Sequence, residues 1–575
     1  MKTILTTLNA KYIHTSLALR WLYVANKDHF DISFREYVAK EDIRKIAEDL
    51  LSTDPDIIGI GIYIWNVHKS KDLISTLKTL KPELIIIVGG PEVSYEPEYF
   101  LNSMLIDFVI SGEGEFVLGE LLSALESNSP ENRHIENTRN GDNHAIDIES
   151  VSFRGKINKT IAKANLEKLA ALPSPYMLEE DREDMKNRIV YFETSRGCPY
   201  RCGFCLSSLE KGVRYFPMRY ITENLEFVIN NDKRCIKFLD RTFNLNKKHT
   251  RAIFGFLIEK YRPGLSVQFE IYADLLDDDI IEYLNDKLPP HYFRFEIGIQ
   301  STYERTNEAV NRWQDFELLA GKIHKIIVGG KIDLHLDLIA GLPYETYDRF
   351  RTSFNDVFSL NVKEVQLGFL KMLRGTSLRR DAKLYGYEYN ENAPYEIIRH
   401  NDIASDEIRR IHTAEQVLEK YWNSGKFART MQALFDQKYK NRFFELFDEI
   451  GRYYKEQKLP AHGYHLEDIF LNLHNFLLSN GIDLFDQLRE DYYSCFKIRP
   501  HGFWENRMDK KIRKQLLHQI GLDKEFLKRF GLNSKIIEKQ TAIDHLKENE
   551  YLLTIFCNDG SRKNPLVISW LIVSD

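Results

Sequence analysis

Three cysteines fall within eight residues of this chain, in the segment "RGCPYRCGFC" (196–205). Cys198, Cys202 and Cys205 make up half of the six cysteines in 575 residues, and their spacing is Cys-x3-Cys-x2-Cys. Clustered cysteines in a reducing compartment indicate metal ligation or redox chemistry rather than a disulfide framework. The other three cysteines are scattered along the sequence, and we interpret them as ordinary buried thiols.

The residues alone leave three interpretations of this cysteine segment open. A structural zinc site would need a fourth ligand; the chain has no second cysteine pair, although a distant histidine could complete the site. Three inert buried thiols are disfavoured by the polar, glycine-containing surroundings. An iron–sulfur cluster is held by thiolates, and three ligands would leave one iron of a four-iron cluster open to bind a substrate or cofactor.

The elements around the cysteine segment predict a full or partial (β/α) barrel over residues 186–393. The segment follows the strand candidate "RIVYFETS", and "CIKFLD", "SVQFEIYAD", "YFRFEIGIQS", "DLHLDLIAG" and "EVQLGFL" follow it at helix-length intervals. Six such units exceed what one small doubly wound sheet usually needs. Their polar and glycine residues at the strand ends lie where a barrel carries its active site.

The segments on either side of this barrel differ in pattern. Residues 1–126 alternate helices with strands such as "DIIGIGIYI" and "LIIIVGG", which are apolar on both faces and predict a doubly wound α/β domain. Residues 127–185 are polar and predict a linker. Residues 394–575 carry amphipathic helices and predict a mainly helical domain that ends in two strands.

The composition favours a soluble cytoplasmic protein. The net charge is −6 and 43% of the residues are hydrophobic, so nothing global indicates a polyanion partner. The first residues lack the apolar core of a signal peptide, and the longest apolar run, Ile57–Trp65, is far shorter than the ~20 residues of a membrane span. The segment "RPHGFWENRMDKKIRKQ" could contact RNA or an anionic cofactor, but a solvated helix face is the more common explanation.

The segment "SRGCPYRCGFC" resembles the signature of the radical S-adenosylmethionine (SAM) superfamily, in which an aromatic residue precedes the last cysteine, as Phe204 does here. This resemblance covers about residues 186–390 and implies a [4Fe–4S] cluster on Cys198, Cys202 and Cys205, with SAM bound to the remaining iron. "FEIGIQSTYERTNEAVNR" and "HLDLIAGLPYET" resemble the coproporphyrinogen-dehydrogenase branch. The SAM-contacting residues that the resemblance implies are Phe204, Asp240, Glu270, Gln300, Arg312, Asp337 and Gly341.

The strand-end segments "GGP" and "GEGE" of the first domain resemble the cobalamin-binding domain that is fused to some radical SAM barrels. The corrin contacts implied by this resemblance are Tyr63, Trp65, Asn66, Gly89, Gly90, Pro91, Gly112, Glu113 and Gly114. The Asp-x-His-x-x-Gly motif of other cobalamin modules is absent, and His14 stands near its place in "NAKYIHTS". We therefore expect base-off cobalamin without a histidine ligand. A flavodoxin-like module that binds no corrin is the alternative.

Together these resemblances imply a class B-like radical SAM enzyme that cleaves SAM to a 5′-deoxyadenosyl radical. With cobalamin it would methylate or rearrange an unactivated carbon. The alternatives are a cobalamin-independent oxidoreductase related to the coproporphyrinogen-dehydrogenase branch and a non-catalytic iron–sulfur sensor. Such an enzyme would take electrons from a donor such as flavodoxin or ferredoxin. The sequence identifies neither the substrate nor a catalytic side chain.

Overall fold

The computed structural model describes residues 1–127, 146–181, 184–231, 234–495, 508–545, 550–556 and 565–571. These residues form two compact units. The first comprises Met1–Phe350 and Gln366–Ser405, and the second comprises Arg351–Val365 and Asp406–Asp575. All the candidate site residues named above lie in the first unit.

A six-stranded sheet forms the core of the N-terminal domain. Its strands are β1 (Thr3–Asn9), β2 (Ile32–Val38), β3 (Ile57–Gly61), β4 (Ile85–Gly89), β5 (Phe108–Ile110) and β6 (Val151–Phe153). The order across the sheet is β2-β1-β3-β4-β5-β6. The first five strands run parallel, and β6 pairs antiparallel with β5. This arrangement confirms the predicted doubly wound α/β domain.

Helices cover both faces of this sheet. They are α1 (Leu17–Asn26), α2 (Ile43–Leu51), α3 (Val67–Leu80), α4 (Pro97–Ser103) and α5 (Glu115–Ser127). One apolar cluster joins α2, α3 and α4 to the sheet, and a second joins α1 and α5 to it. Ser16 and Asp42 begin α1 and α2 by accepting hydrogen bonds from backbone N–H groups of the first turn.

Residues 146–171 are ordered against the first domain, whereas the sequence analysis assigned them to a linker. The strand β6 extends the sheet, and helix α6 (Leu166–Ala170) is capped by the side chain of Asn165. The segment "SFRGKINKT" within the predicted linker has the pattern of a small hairpin, and Phe153 and Lys156 exchange backbone hydrogen bonds there. The rest of the predicted linker's polar stretch, residues 128–145, lies outside the described residues.

A second sheet carries the cysteine segment. Its region contains β7 (Val190–Phe192), β8 (Ser195–Arg196), β9 (Arg214–Tyr215), β10 (Cys235–Phe238), β11 (Ser266–Ile271), β12 (Phe293–Gln300), β13 (Asp333–Ala340) and β14 (Glu364–Phe369). The sheet order is β14-β13-β12-β11-β10-β7, and β8 and β9 form a separate antiparallel ribbon. Within the sheet, β7, β10, β11, β12 and β13 pair in parallel. The predicted partial (β/α) barrel is therefore confirmed.

The barrel helices pack on the apolar face of this sheet. They are α7 (Met218–Asn230), α8 (Lys247–Glu259), α9 (Asp278–Lys287), α10 (Glu304–Ala309), α11 (Phe316–Gly329) and α12 (Tyr347–Phe358). Along β11 every second residue is buried, and the ring of Phe269 lies 5.2 Å from that of Phe254 on α8. The alternate positions, Gln268 and Glu270, face the inner side of the barrel. The polar side chains of the sheet thus line the interior.

The segment after the barrel closes the first unit. It contains α13 (Ser377–Arg380) and a hairpin of β15 (Glu388–Tyr389) and β16 (Ile397–Arg399). Short 3-10 turns of the first unit span Glu179–Asp181, Asp184–Asn187, Leu206–Leu209, Phe243–Leu245 and Ala273–Leu275.

The second unit is mainly helical, as predicted. Its helices are α14 (Ser405–Leu418), α15 (Ala428–Gln437), α16 (Phe443–Glu456), α17 (Leu466–Ser479), α18 (Phe485–Ser494), α19 (Lys510–Leu522), α20 (Lys524–Phe530) and α21 (Ser534–Gln540), with a π-helical turn at Glu419–Asn423. Three antiparallel strands follow, β17 (Thr541–His545), β18 (Glu550–Ile555) and β19 (Leu566–Leu571). Residues 499–507 of the basic, aromatic segment lie outside the described residues. No helix in the described part of the chain has the length and apolar character needed to span a bilayer.

Candidate active site

The cysteine loop leaves the ribbon of β8 and β9 at the carboxyl end of β7. Cys202 is buried, and Cys198 and Cys205 are half-buried free thiols. Gly197, directly before the loop, has a φ of +93°, and a Cβ there would collide with the carbonyl oxygen of Gly212. Only glycine fits this position without strain. The loop is anchored from within by Gly203, whose N–H donates to the Val310 carbonyl at 2.7 Å.

The electrostatics of the loop disfavour free thiolates at Cys198 and Cys202. Burial raises the pKa values of Cys198 and Cys202. The Arg312 guanidinium opposes this effect at Cys202, with its Nη1 3.8 Å from the sulfur. Across the described residues no three His, Cys, Asp or Glu side chains form a site for a single metal ion. A donor set of three cysteine thiols fits an iron–sulfur cluster.

Two predicted SAM-contacting residues, Gln300 and Arg312, converge beside the loop. Gln300 ends β12 at a register shift, with a φ of +69°. Its side-chain oxygen is buried without a hydrogen-bond partner. Arg312 donates to the Gly298 carbonyl and lies with its guanidinium carbon 5.0 Å from the ring centre of Tyr272. A buried amide oxygen without a partner, next to Cys202, is a group that a bound ligand would satisfy.

Asp240 lies where the sequence analysis predicted a SAM contact, but its carboxylate is occupied by the chain itself. It accepts hydrogen bonds from the Thr194 N–H at 3.0 Å, the Thr194 hydroxyl at 2.6 Å and the Ser195 hydroxyl at 2.5 Å. Burial raises its pKa to about 6, against the effect of these three donors. Asp240 therefore fixes the strand end that leads into the cysteine loop, and a direct contact with SAM stays a prediction.

The remaining predicted SAM-contacting residues lie at the inner face and at the loop. Glu270 faces Arg241 with 3.8 Å between the charged groups, and burial raises its pKa. Asp337 lies 2.8 Å from Nε2 of His335. Gly341 has a φ of +87°, and Phe204 is half-buried within the cysteine loop. These roles stay predictions.

A cavity of about 370 Å³ lies where the strand ends of the first domain meet the barrel. Its volume is that of a small-molecule site. Predicted corrin contacts that line it are Tyr63, Gly89, Gly90, Pro91, Gly112, Glu113 and Gly114. The barrel contributes residues on both sides of the cysteine loop, among them Arg196 and Leu206. The cavity thus brings the two candidate cofactor sites next to each other.

Trp65 and Asn66, the other two predicted corrin contacts, are not among the residues that line this cavity, and their contact with a corrin stays a prediction. Trp65 is 54% exposed and stacks on Tyr63 with 4.5 Å between ring centres. Asn66 is buried, and its amide accepts from the Tyr63 N–H and donates to the Leu8 carbonyl. Asn66 shapes the loop that carries Tyr63, and Trp65 supports the Tyr63 ring.

Part of the cavity is a slot between α1 and α5 that fits an apolar group. Leu5, Ala18, Leu22, Ile110 and Leu118 line it. A Cβ at Gly59 would come within 2.7 Å of the Leu5 side chain, and one at Gly114 within 3.5 Å of Leu22. The lining of this part of the cavity is therefore apolar.

The backbone requires glycine at two of the predicted corrin contacts, Gly90 and Gly112. Their φ values are +110° and +94°. A Cβ at Gly90 would collide with the backbone of Ile62, and a Cβ at Gly112 with the backbone of Ala162. Backbone conformation and close packing, more than ligand approach, therefore demand glycine at these two positions.

Glu113 lines the cavity, and its carboxylate also contacts side chains of the barrel. Its carboxylate lies 3.1 Å from the Arg196 guanidinium, pairs with Arg214 and accepts from the Ala164 N–H at 2.8 Å. Arg196 also contacts Glu115 and Glu193, each at 2.8 Å. Sequence reasoning missed this buried cluster. Its one signal was the arginine next to the first cysteine.

His14, the candidate near the place of a cobalt ligand, lies against the first barrel strand. Its Nδ1 is 2.7 Å from the Tyr191 hydroxyl. Burial lowers its pKa, and Lys11 adds to the effect. His14 is not among the residues that line the cavity.

Three family models match three successive segments of the chain. Residues 4–122 match the B12 binding domain, residues 192–357 match the radical SAM superfamily, and residues 383–563 match a domain of unknown function, DUF4080. The chain therefore combines a B12-binding domain with a radical SAM domain. These domains imply cobalamin, a [4Fe–4S] cluster and SAM as cofactors.

Curated relatives and solved structures agree with this division. The cobalamin-dependent radical SAM methyltransferase TokK of Streptomyces tokunonensis is 24% identical over 60% of this chain and 51% of its own. An uncharacterized methyltransferase of Pyrococcus horikoshii, PH0819, is 28% identical over 63% of this chain and 77% of its own. This chain spans about half the length of TokK.

Two solved structures share the fold. The cobalamin-dependent radical SAM enzyme OxsB, with aqua-cobalamin bound, matches with a TM-score of 0.59 at 16% identity, over 86% of this chain and 81% of its own. The radical SAM methyltransferase TsrM of Kitasatospora setae matches with a TM-score of 0.53 at 15% identity, over 68% of this chain and 79% of its own.

Proposed function

We propose that this chain is a cobalamin-dependent radical SAM enzyme that transfers a methyl group to an unactivated carbon. The observation that carries the proposal is the shared cavity. Leu206 and Ser207, directly after the last cysteine, line the same cavity as Gly89 and Gly90 of the B12-binding domain. A corrinoid bound at these strand ends would lie beside the cluster loop, as radical methylation requires.

The chain's own residues would hold the cofactors and exclude water. Cys198, Cys202 and Cys205 would ligate the cluster, and Gln300 and Arg312 would contact SAM next to it. When bound, these cofactors supply a carbon-centred radical and a methyl group. The protein supplies orientation and protection from competing reactions.

The inner face of the barrel is the proposed substrate site. Lys237 lies 3.0 Å from Glu296, which also accepts from Gln268. Arg294 contacts His335 at 2.6 Å. Such polar, half-buried groups below the cysteine loop would orient a polar substrate so that one of its carbon atoms faces the radical.

The named relatives favour methyl transfer over the alternatives. TokK and 2-(S-pantetheinyl)-carbapenam-3-carboxylate methyltransferase are both methyltransferases by name. A match to the B12 binding domain over residues 4–122 weighs against a cobalamin-independent oxidoreductase. An iron–sulfur sensor would have no need of Gln300 and Arg312 beside the cluster.

The proposed reaction also requires a one-electron donor of low potential, such as flavodoxin or ferredoxin. A cytoplasmic location is part of the same proposal, because a cluster with an open iron needs a reducing environment. The described cysteines are free thiols, in keeping with such an environment.

The test is anaerobic reconstitution of the full chain with iron and sulfide, followed by SAM, dithionite and methylcobalamin. We expect about one bound corrinoid per chain and formation of 5′-deoxyadenosine. Formation of S-adenosylhomocysteine on addition of the correct substrate would mark methyl transfer. Cys202→Ala should abolish the cluster, whereas Cys235→Ala, outside the loop on β10, should retain it. Nucleoside formation without bound corrinoid would refute cobalamin dependence.

A further inference from the structure

Glu115 is a buried carboxyl group that the proposed reaction does not use. It begins helix α5 and is 6% exposed. It lines the cavity at the slot between α1 and α5, together with Leu22 and Leu118. A carboxyl group in such apolar surroundings requires partners for both of its oxygens.

One oxygen of Glu115 has a partner and the other has none. Oε1 lies 2.8 Å from Nη1 of Arg196. Oε2 is buried and makes no hydrogen bond. Buried polar atoms of folded proteins are nearly always hydrogen-bonded. The open position next to Oε2 therefore indicates a group that arrives with a ligand of the cavity.

The charges around Glu115 favour its neutral form. Three carboxyl groups, those of Glu113, Glu115 and Glu193, surround two guanidinium groups, those of Arg196 and Arg214. Full ionisation would leave one excess negative charge in a buried site. Burial raises the pKa of Glu115, although Arg196 opposes this. A neutral carboxyl group can donate a hydrogen bond from the oxygen that has no partner.

The shape of the slot selects the part of a corrinoid that can reach Glu115. The slot is lined by Leu5, Ala18, Leu22, Ile110 and Leu118, and a Cβ at Gly59 would come within 2.7 Å of Leu5. Because these lining side chains are apolar, the slot favours an aromatic group over the amide-bearing rim of a corrin ring. The aromatic base of the nucleotide loop is flat, apolar and carries a ring nitrogen that accepts a hydrogen bond when it leaves cobalt.

We propose that Glu115 donates a hydrogen bond to the free ring nitrogen of the corrinoid's lower base and so selects corrinoids with a nitrogenous nucleotide. This inference rests on the proposed function, because it requires that the cavity binds a corrinoid. It adds a specificity-determining residue. The base is held away from cobalt by a protein side chain, and the lower face of cobalt receives no ligand from Glu115.

The test is equilibrium binding of three corrinoids to the anaerobically purified full chain, followed by the visible absorbance of the corrin. Cobalamin carries the ring nitrogen, p-cresolylcobamide has an aromatic lower base without it, and cobinamide has no nucleotide. We expect Glu115→Leu to weaken cobalamin binding about 10-fold and to leave the other two affinities unchanged. Glu115→Gln, whose amide can still donate, should retain most of the affinity for cobalamin.

The control variant is Glu120→Leu, which changes an exposed position of the same helix and should alter no affinity. Glu115→Leu removes one carboxyl group from the buried cluster around Arg196, so its unfolding temperature without corrinoid should be lower, and the affinities are compared at a temperature at which both proteins are folded. Equal losses for cobalamin and p-cresolylcobamide, or no loss at all, would overturn the inference. A wild-type chain that binds none of the three corrinoids would refute the proposed function instead.

Discussion

The Arg196 guanidinium lies 3.1 Å from the Glu113 carboxylate, which pairs the residue that leads into the cysteine loop with a strand-end loop of the B12-binding domain. Glu115 and Glu193 complete the buried cluster around Arg196. The indole N–H of Trp21 donates to Glu193 at 2.6 Å. Because these groups belong to both domains, the position of the cluster loop depends on the docking of the first domain.

Substitution Arg196→Met should strongly destabilise the protein. It leaves the carboxylates of Glu113 and Glu193 and the carboxyl group of Glu115 buried without their shared cation. Breaking a buried ion pair in this way costs about 3–5 kcal/mol. Urea denaturation of the full chain without cofactors, read as the free energy of unfolding of the first unit, measures this loss.

A matched control is Arg219→Met, which removes another arginine from an ion pair. Arg219 pairs with Glu223 on the surface of α7, and its side chain is 87% exposed. Exposed pairs of this kind contribute little to stability. If Arg196→Met and Arg219→Met lose similar amounts of stability, the buried cluster does not have the structural role assigned to it.

Asp240 should make the folded protein less stable as the pH rises, because its pKa is raised in the folded state. Burial raises its pKa in the folded state to about 6. The folded state therefore binds the proton more tightly than the unfolded state, where the pKa is about 3.9. Its contribution is fully present below about pH 4 and decreases as the pH rises through about 6, by up to roughly 3 kcal/mol.

Comparison with Asp240→Asn isolates this contribution, since the asparagine does not titrate. Unfolding free energies of both proteins would be measured between pH 4 and pH 7. The wild-type value should decrease relative to that of the variant as the pH rises. A difference that stays constant or changes in the opposite direction would contradict a raised pKa at Asp240.

The sequence predicted those features that depend on local motifs. The Cys-x3-Cys-x2-Cys spacing predicted one loop after one strand. The resemblance of "FEIGIQSTYERTNEAVNR" to the coproporphyrinogen-dehydrogenase branch implied that Gln300 and Arg312 act together. Both side chains lie by Gly298, and one short helix, α10, separates the two residues. These features need little information about distant parts of the chain.

Other features depend on contacts between segments that are distant in the sequence. Glu113 was predicted as a corrin contact, but Arg196 and Arg214, more than eighty residues away, hold its carboxylate. Asn66 was predicted to face the same ligand, but its amide bonds the Leu8 carbonyl of β1. No periodicity in a single sequence encodes such pairings, because they form only when the domains dock and the strands align.

Substitution Gly298→Ala should disrupt the proposed SAM site without removing the cluster. An added Cβ would collide with the Gln300 side-chain amide, whereas the Arg312 guanidinium, at 3.6 Å, would stay at ordinary contact distance. Displacing the Gln300 amide should weaken SAM binding on the order of 10-fold. Equilibrium binding of SAM to the reconstituted protein measures this effect, and iron content should stay unchanged.

The control for this prediction is Gly321→Ala on α11. A Cβ at Gly321 would meet no atom within 4 Å. Alanine in a helix is also favoured over glycine, so SAM affinity should not change. Equal SAM affinities of Gly298→Ala and the wild type would argue against Gln300 as a SAM contact.

Substitution His14→Gln should leave the coordination of a bound corrinoid unchanged. The imidazole Nδ1 is already engaged by the Tyr191 hydroxyl at 2.7 Å, and His14 does not line the cavity. Electron paramagnetic resonance of the cobalt(II) form should therefore show no histidine nitrogen coupling in either protein. A nitrogen coupling that is present in the wild type and lost in His14→Gln would instead identify His14 as the axial ligand through its second ring nitrogen, Nε2.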